Sequence, residues 1–156
     1  MALEVGSSAP DFTLTGSLGA EDTDVSLSDY AGKNLIIVFY PLDFSSVCSI
    51  QIPDYNEKIE EIRSKNADVI AINRDSAFAH KAWSEHLGGI QFPLLADMNL
   101  KVSKQFGMAL EEVGITNRGV FIIDSSGKVA FSHVENAPPD NTIEMEAVLA
   151  ELDKLI

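Results

Sequence analysis

The order of apolar runs along this 156-residue chain predicts an α/β domain of three layers, with helices packed on both faces of a central mixed β-sheet. Two observations carry that prediction. Short, continuous runs of β-branched and aromatic residues alternate with stretches of helical periodicity, which is how parallel strands joined by crossover helices read. Towards the end the pattern changes to two strands closed by a tight turn and then an amphipathic helix, so part of the sheet is antiparallel. The length, with 46% hydrophobic and 22% charged residues, fits a single globular domain over residues 1–156.

In chain order, "NLIIVFY" (Asn34 to Tyr40) has no polar alternation and predicts a strand buried on both faces. Tyr55 to Lys65 follows as a helix with Ile59 and Ile62 on its apolar side. "ADVIAIN" (Ala67 to Asn73) is a second buried strand. Ser76 to Leu87 predicts a helix with Phe78, Ala82, Trp83 and Leu87 facing the core, ended by Gly88-Gly89. Leu100 to Phe106 is a shorter helix stopped by Gly107. "GVFIID" (Gly119 to Asp124), "SSGK" and "VAFSH" predict a hairpin over Gly119 to His133, with Gly127 supplying the turn. Thr142 to Leu155 is the last helix, capped at Asn141 or Thr142, with Met145, Val148, Leu149, Leu152 and Leu155 inward. This order suits a thioredoxin-like fold, in which reactive groups collect at the C-terminal ends of the strands.

Several functions are disfavoured. A net charge of −13 argues against nucleic acid or an anionic membrane as partner, because both require basic surface. No apolar run approaches the ~20 residues of a spanning helix. The opening residues lack a basic start followed by an apolar stretch, and the one cysteine fits a reducing compartment, so the expected location is the cytoplasm. His80, His86 and His133 show no ligand spacing, so neither a metal nor another cofactor is expected. "SSGK" has no glycine five residues before Gly127, and a hairpin turn accounts for it better than a phosphate loop does. Trp83 reads as core.

Cys48 is the only cysteine, and it sits just past the first buried strand in "FYPLDFSSVCSIQ". Two readings are open: a small apolar filler, or a reactive thiol. Ser45 or Ser46 is positioned to cap a helix whose first turn holds Cys48, and there the unpaired N–H groups favour thiolate. The Ser45 hydroxyl, three residues before the sulfur, is placed to donate to it or to a bound oxygen. Pro53 would clash with the Ser49 carbonyl in a continuous helix, so the helix is expected to kink or begin afresh there.

Pro41, Ser45 and Cys48 spell P-x-x-x-[ST]-x-x-C, which resembles the signature of the peroxiredoxins, the thiol-dependent peroxidases. Five further segments appear in the family's order: "APDFTL" from Ala9, "HKAW" from His80, "FPLLAD" from Phe92, "VSKQFG" from Val102 and "NRGVFIID" from Asn117. With one cysteine and "EEVGITNRGVFIID", the chain looks most like the one-cysteine subgroup around alkyl hydroperoxide reductase E.

The resemblance implies that Cys48 is the nucleophile that attacks the peroxide O–O bond and becomes sulfenic acid. Ser45 matches the hydroxyl that positions the peroxide, Pro41 the proline that shields the pocket, and Arg118 the arginine that holds sulfur and peroxide oxygens. The N–H groups of Val47 and Cys48 would stabilise the departing oxygen. The implied partners are a peroxide substrate, an external thiol or redoxin reductant, and a second copy in a homodimer or higher homo-oligomer, with "DFSS" and "MALEE" as surfaces for pairing. The chain departs from the family in three places: Gln51 stands where glutamate is common, Ser49 where proline or threonine is common, and no second cysteine is present to resolve the sulfenic acid. The alternative is a non-catalytic redox sensor or interaction module of the same fold.

Overall fold

The computed structural model describes residues 2–135 and 141–156. A hairpin of β1 (Thr13–Leu18) and β2 (Glu21–Ser26) precedes the central strand β3 (Asn34–Phe39). Helices α1 (Cys48–Glu57) and α2 (Ile59–Ser64) lead to β4 (Ala67–Asn73), and α3 (Ala77–His86) leads to β5 (Leu94–Ala96). Then come α4 (Lys101–Gln105), a small hairpin of β6 (Ala109–Leu110) and β7 (Ile115–Thr116), the pair β8 (Gly119–Ile123) and β9 (Val129–Val134), and α5 (Met145–Asp153).

Seven strands form one sheet in the order β2-β1-β5-β4-β3-β8-β9. The pairs β3·β4 and β4·β5 are parallel, whereas β1·β2, β1·β5, β3·β8 and β8·β9 are antiparallel, so the sheet is mixed as the sequence predicts. Strand side chains alternate between faces, so β3 contributes Ile36 and Val38, with Tyr40 just past its end, to one core and Leu35, Ile37 and Phe39 to the other. The first core packs against α1, α2, Trp83 of α3 and α5; the second packs against Val102, Phe106 and the N-terminal Phe12 and Val25. Two buried faces explain the continuous apolar run.

The structure corrects several expectations. The helix expected over Tyr55 to Lys65 is two helices, meeting at Lys58 (φ −96°, ψ 6°), and the first begins seven residues earlier, at Cys48. Pro53 lies inside α1, which neither restarts nor breaks there. In α3, Ser76 caps the helix by accepting from the Ala79 N–H, but Phe78 and Ala82 are exposed, Phe78 at 83%. The inward face keeps the expected Trp83 and Leu87 and adds His80 and Ser84. The period is the predicted one and its phase is shifted, because His80 is buried with a carboxylate partner. α5 starts at Met145 with Glu144 at its cap rather than Asn141 or Thr142, while Val148, Leu149 and Leu152 do point inward. The hairpin β1·β2 and the strand β5 carry no strong sequence signal: β2 reads "EDTDVS" with one solvated face, and β5 is three residues long. Gly16 of β1 lies so close to the backbone of Leu94 that a Cβ there would sit 2.7 Å from Leu95 Cα. Only glycine lets that edge close.

Candidate active site

β3 ends at Phe39, and Tyr40 still bonds through its N–H to the Ile72 carbonyl at the end of β4. The chain then leaves the sheet in a loop from Pro41 to Val47 that is tied down from below. Asp43 is the fastening point. Its Oδ1 accepts from the Tyr40 hydroxyl at 2.7 Å and from Asn73 Nδ2 at 3.0 Å, and its Oδ2 lies 2.6 Å from His80 Nδ1. His80 Nε2 in turn faces the Leu95 carbonyl at 3.0 Å, and the Asp43 N–H donates to Asp75 Oδ2. Burial first, and then the Asp43 charge, pushes the Tyr40 phenol well above its ordinary range, so it stays a donor. The Tyr40 ring stacks on Trp83 with centroids 5.4 Å apart. Phe44 adopts a left-handed backbone (φ 63°), a strained conformation for a bulky side chain.

Above this anchor, α1 begins at Cys48, whose residue is wholly buried. The expected serine cap is absent: Val47 occupies the cap position in helical conformation, with no side-chain cap bond. The reason is local. The backbone is already wound at Ser45, whose carbonyl accepts from the Ser49 N–H at 2.9 Å, so no hydroxyl is needed to start the turn. Ser45 Oγ is therefore spare. It is buried and has no hydrogen-bond partner among the described residues, including the Cys48 sulfur.

Arg118 arrives from the far end of the chain. β8 runs antiparallel to β3 with Gly119 opposite Phe39, which sets the residue before Gly119 beside the end of β3. Arg118 is 8% exposed, and its Nη2 donates to Cys48 Sγ at 3.1 Å. The contact sets a permanently charged guanidinium directly against the sulfur. The arginine backbone is held on both sides: its N–H donates to Asn117 Oδ1 and its carbonyl accepts from the Glu135 N–H at 2.9 Å. Pro41 is half-buried at the start of the loop, and Val47 is half-buried immediately before the cysteine. In this first turn the N–H groups of Ser49, Ile50 and Gln51 donate to the Ser45 and Val47 carbonyls, and among the described residues those of Val47 and Cys48 make no backbone hydrogen bond.

Two participants escaped the sequence reading. One is the buried Tyr40–Asp43–His80–Asn73 anchor; Asp43 and His80 fall inside the recognised segments, but nothing in their spacing couples them. The other is Glu135, 3% exposed, whose Oε2 accepts from Gln51 Nε2 at 3.2 Å and whose Oε1 accepts from the Thr142 hydroxyl at 2.9 Å. Glu135 lies beyond the predicted hairpin, and no periodicity marks it.

The sequence profile of the AhpC/TSA family matches residues 5–132. The chain is 39% identical over 150 residues to a thioredoxin peroxidase of Echinococcus granulosus, covering 92% of this chain and 78% of that one. It is also 39% identical over 139 residues to a chloroplastic 2-Cys peroxiredoxin of Hordeum vulgare, covering 85% of this chain and 66% of the relative. The crystal structure of Enterococcus faecalis AhpC superposes with a TM-score of 0.88 at 30% identity, over 96% of this chain and 90% of that chain.

Proposed function

The chain belongs to the AhpC/TSA family of peroxiredoxins, which are thiol-dependent peroxidases, and from that membership we propose that it reduces hydrogen peroxide and organic hydroperoxides through Cys48. The observation that carries this reading is the Arg118 Nη2 contact with Cys48 Sγ at 3.1 Å, together with a Ser45 hydroxyl that is buried and has no partner among the described residues. An enclosed donor without an acceptor is costly, and a peroxide oxygen would satisfy it.

In the proposed step the Cys48 thiolate attacks one peroxide oxygen in line with the O–O bond. An S–O bond forms, the O–O bond breaks, and its electron pair leaves on the second oxygen, which takes a proton and departs as water or alcohol. Arg118 and the N–H groups of Val47 and Cys48 face the charge that develops on that oxygen, Ser45 orients the peroxide, and Pro41 shields the site. Cys48 is left as sulfenic acid. An external thiol then displaces water to give a mixed disulfide, and a second thiol releases Cys48 and carries away the disulfide. Because Cys48 is fully enclosed, the first turn of α1 has to open for that exchange. Pro53 favours this, since it offers no N–H to the Ser49 carbonyl.

The proposal extends to a homodimer or larger homo-oligomer working in the cytoplasm. Support for pairing beside the loop comes from Leu42 and Phe44, which are exposed on it. Stopped-flow mixing of reduced protein with hydrogen peroxide and with an alkyl hydroperoxide tests the activity, with sulfenic acid trapped on Cys48. Sustained turnover with a thiol reductant is the expected result. Stoichiometric oxidation without turnover would make the protein a sensor instead.

A further inference from the structure

Glu135 is a buried carboxylate that forms no ion pair among the described residues. A buried charge with no cation against it is expensive unless its hydrogen bonds hold it. Both of its oxygens are held, by Gln51 Nε2 and by the Thr142 hydroxyl, and its own N–H donates to the Arg118 carbonyl. Glu135 thus grips two residues of the site at once: Gln51, three positions after Cys48 in the first turn of α1, and Arg118, which touches the sulfur.

The chemistry of the pair decides how Gln51 points. A carboxylate only accepts, so it selects the amide nitrogen and turns the amide oxygen away. That oxygen, Gln51 Oε1, is buried and has no partner among the described residues. Arg118 Nε is likewise buried and without a partner. One is an acceptor only and the other a donor only. Two complementary orphans on residues that Glu135 holds together are costly apart and satisfied together.

We propose that Glu135 is a positioning residue for the peroxide reaction: it fixes the Gln51 amide so that Oε1 is kept for Arg118 Nε, and so holds the guanidinium against Cys48. Arg118 Nε then closes on Gln51 Oε1 as peroxide enters, while Nη2 serves sulfur and oxygen. This rests on the peroxidase reading above.

The test uses the reduced full chain, hydrogen peroxide and stopped-flow rates across pH. Glu135→Gln is isosteric, but its amide no longer dictates which way Gln51 faces. Its second-order rate constant should fall about tenfold, the scale of a misoriented catalytic group, with a displaced pH profile and a near-parental Tm. Gln51→Leu should lose about as much, and Glu135→Gln added to it should cost little more, because the two act as one unit. The exchange variant Glu135→Gln with Gln51→Glu restores a carboxylate–amide pair and presents a fixed acceptor to Arg118. It should recover to within about threefold of the parent, whereas Gln51→Glu alone crowds two carboxylates and should be slow. Parental rates in Glu135→Gln, or an exchange variant no faster than the single variants, would overturn the proposal. Should Glu135→Gln not fold, Gln51→Leu and the exchange variant decide alone. A parental protein that fails to react with peroxide would refute the peroxidase reading instead.

Discussion

Arg118 and Ser45 bear on Cys48 through different physics, and the two separate experimentally. Arg118 supplies permanent charge at the sulfur, 3.1 Å away, so Arg118→Ala should slow peroxide reduction about 100-fold or more by stopped-flow while leaving far-ultraviolet circular dichroism unchanged. Arg118→Lys keeps the charge but loses the planar fork, and should recover only part of the rate. Ser45 contributes a buried hydroxyl with no partner among the described residues. Ser45→Thr keeps that hydroxyl and should be mild, whereas Ser45→Val should cost about tenfold or more in rate. Ser45→Val should not cost stability, because it removes an unsatisfied polar group rather than a hydrogen bond. Equal rates for Ser45→Val and the parent would remove the hydroxyl from the mechanism.

At the scale of elements, the strand pair β8·β9 is the support that carries Arg118. Gly119 is tightly enclosed: a Cβ there would lie 2.6 Å from Met108 Cε and 2.7 Å from the His133 carbonyl oxygen. The methionine tip yields easily and the β9 backbone does not. Gly119→Ala should therefore destabilise the protein by about 1–3 kcal/mol in denaturant unfolding and also slow the peroxide reaction, because Arg118 is the adjacent residue. The hairpin turn is held by Asp124, whose Oδ1 accepts from the Ser126 hydroxyl and from the N–H groups of Ser126 and Lys128. Partial burial works against its charge, yet these hydrogen bonds outweigh it and hold the carboxyl below its ordinary value. A lowered folded value gives stability that is present above the unfolded value of about 3.9 and is lost as pH falls through the folded one. Asp124→Ala should then cost about 1 kcal/mol near neutrality and progressively less below about pH 4, as read from urea midpoints across pH. A constant difference down to pH 2 would contradict the account.

For the molecule as a whole, recycling follows from one buried thiol among 156 residues. In the proposed mechanism oxidised Cys48, with no second cysteine among these 156 residues to pair with, meets sulfur from outside. Peroxide-treated protein should carry a trappable sulfenic acid, and excess peroxide without reductant should add two and then three oxygens to the Cys48 peptide in mass spectra, with lasting loss of activity. A thiol reductant added early should prevent that. Quantitative disulfide-linked dimer on a non-reducing gel, with no sulfenic acid, would replace external resolution with pairing of two copies. The complete burial of Cys48 disfavours that route.

The strands β3, β4 and β8 were legible nearly to the residue, because a strand covered on both faces must be apolar throughout and so writes itself into consecutive letters. Cys48, Ser45 and Arg118 were legible as a motif, although nothing local shows that residues 48 and 118 touch; β8 lying beside β3 brings them together. Three features needed the tertiary structure. Phe78 satisfies the helical period and yet faces solvent, because the buried phase of α3 was decided by His80 finding Asp43. Ser45 has the composition of a cap and is not one, because the turn before Cys48 was already wound. Glu135 reaches Gln51 across 84 positions of sequence. Apolar burial leaves a period in the sequence because it acts on whole faces, whereas a buried polar group is stable only with its particular partner. That partner is chosen by how strands and helices dock, which no local spacing records.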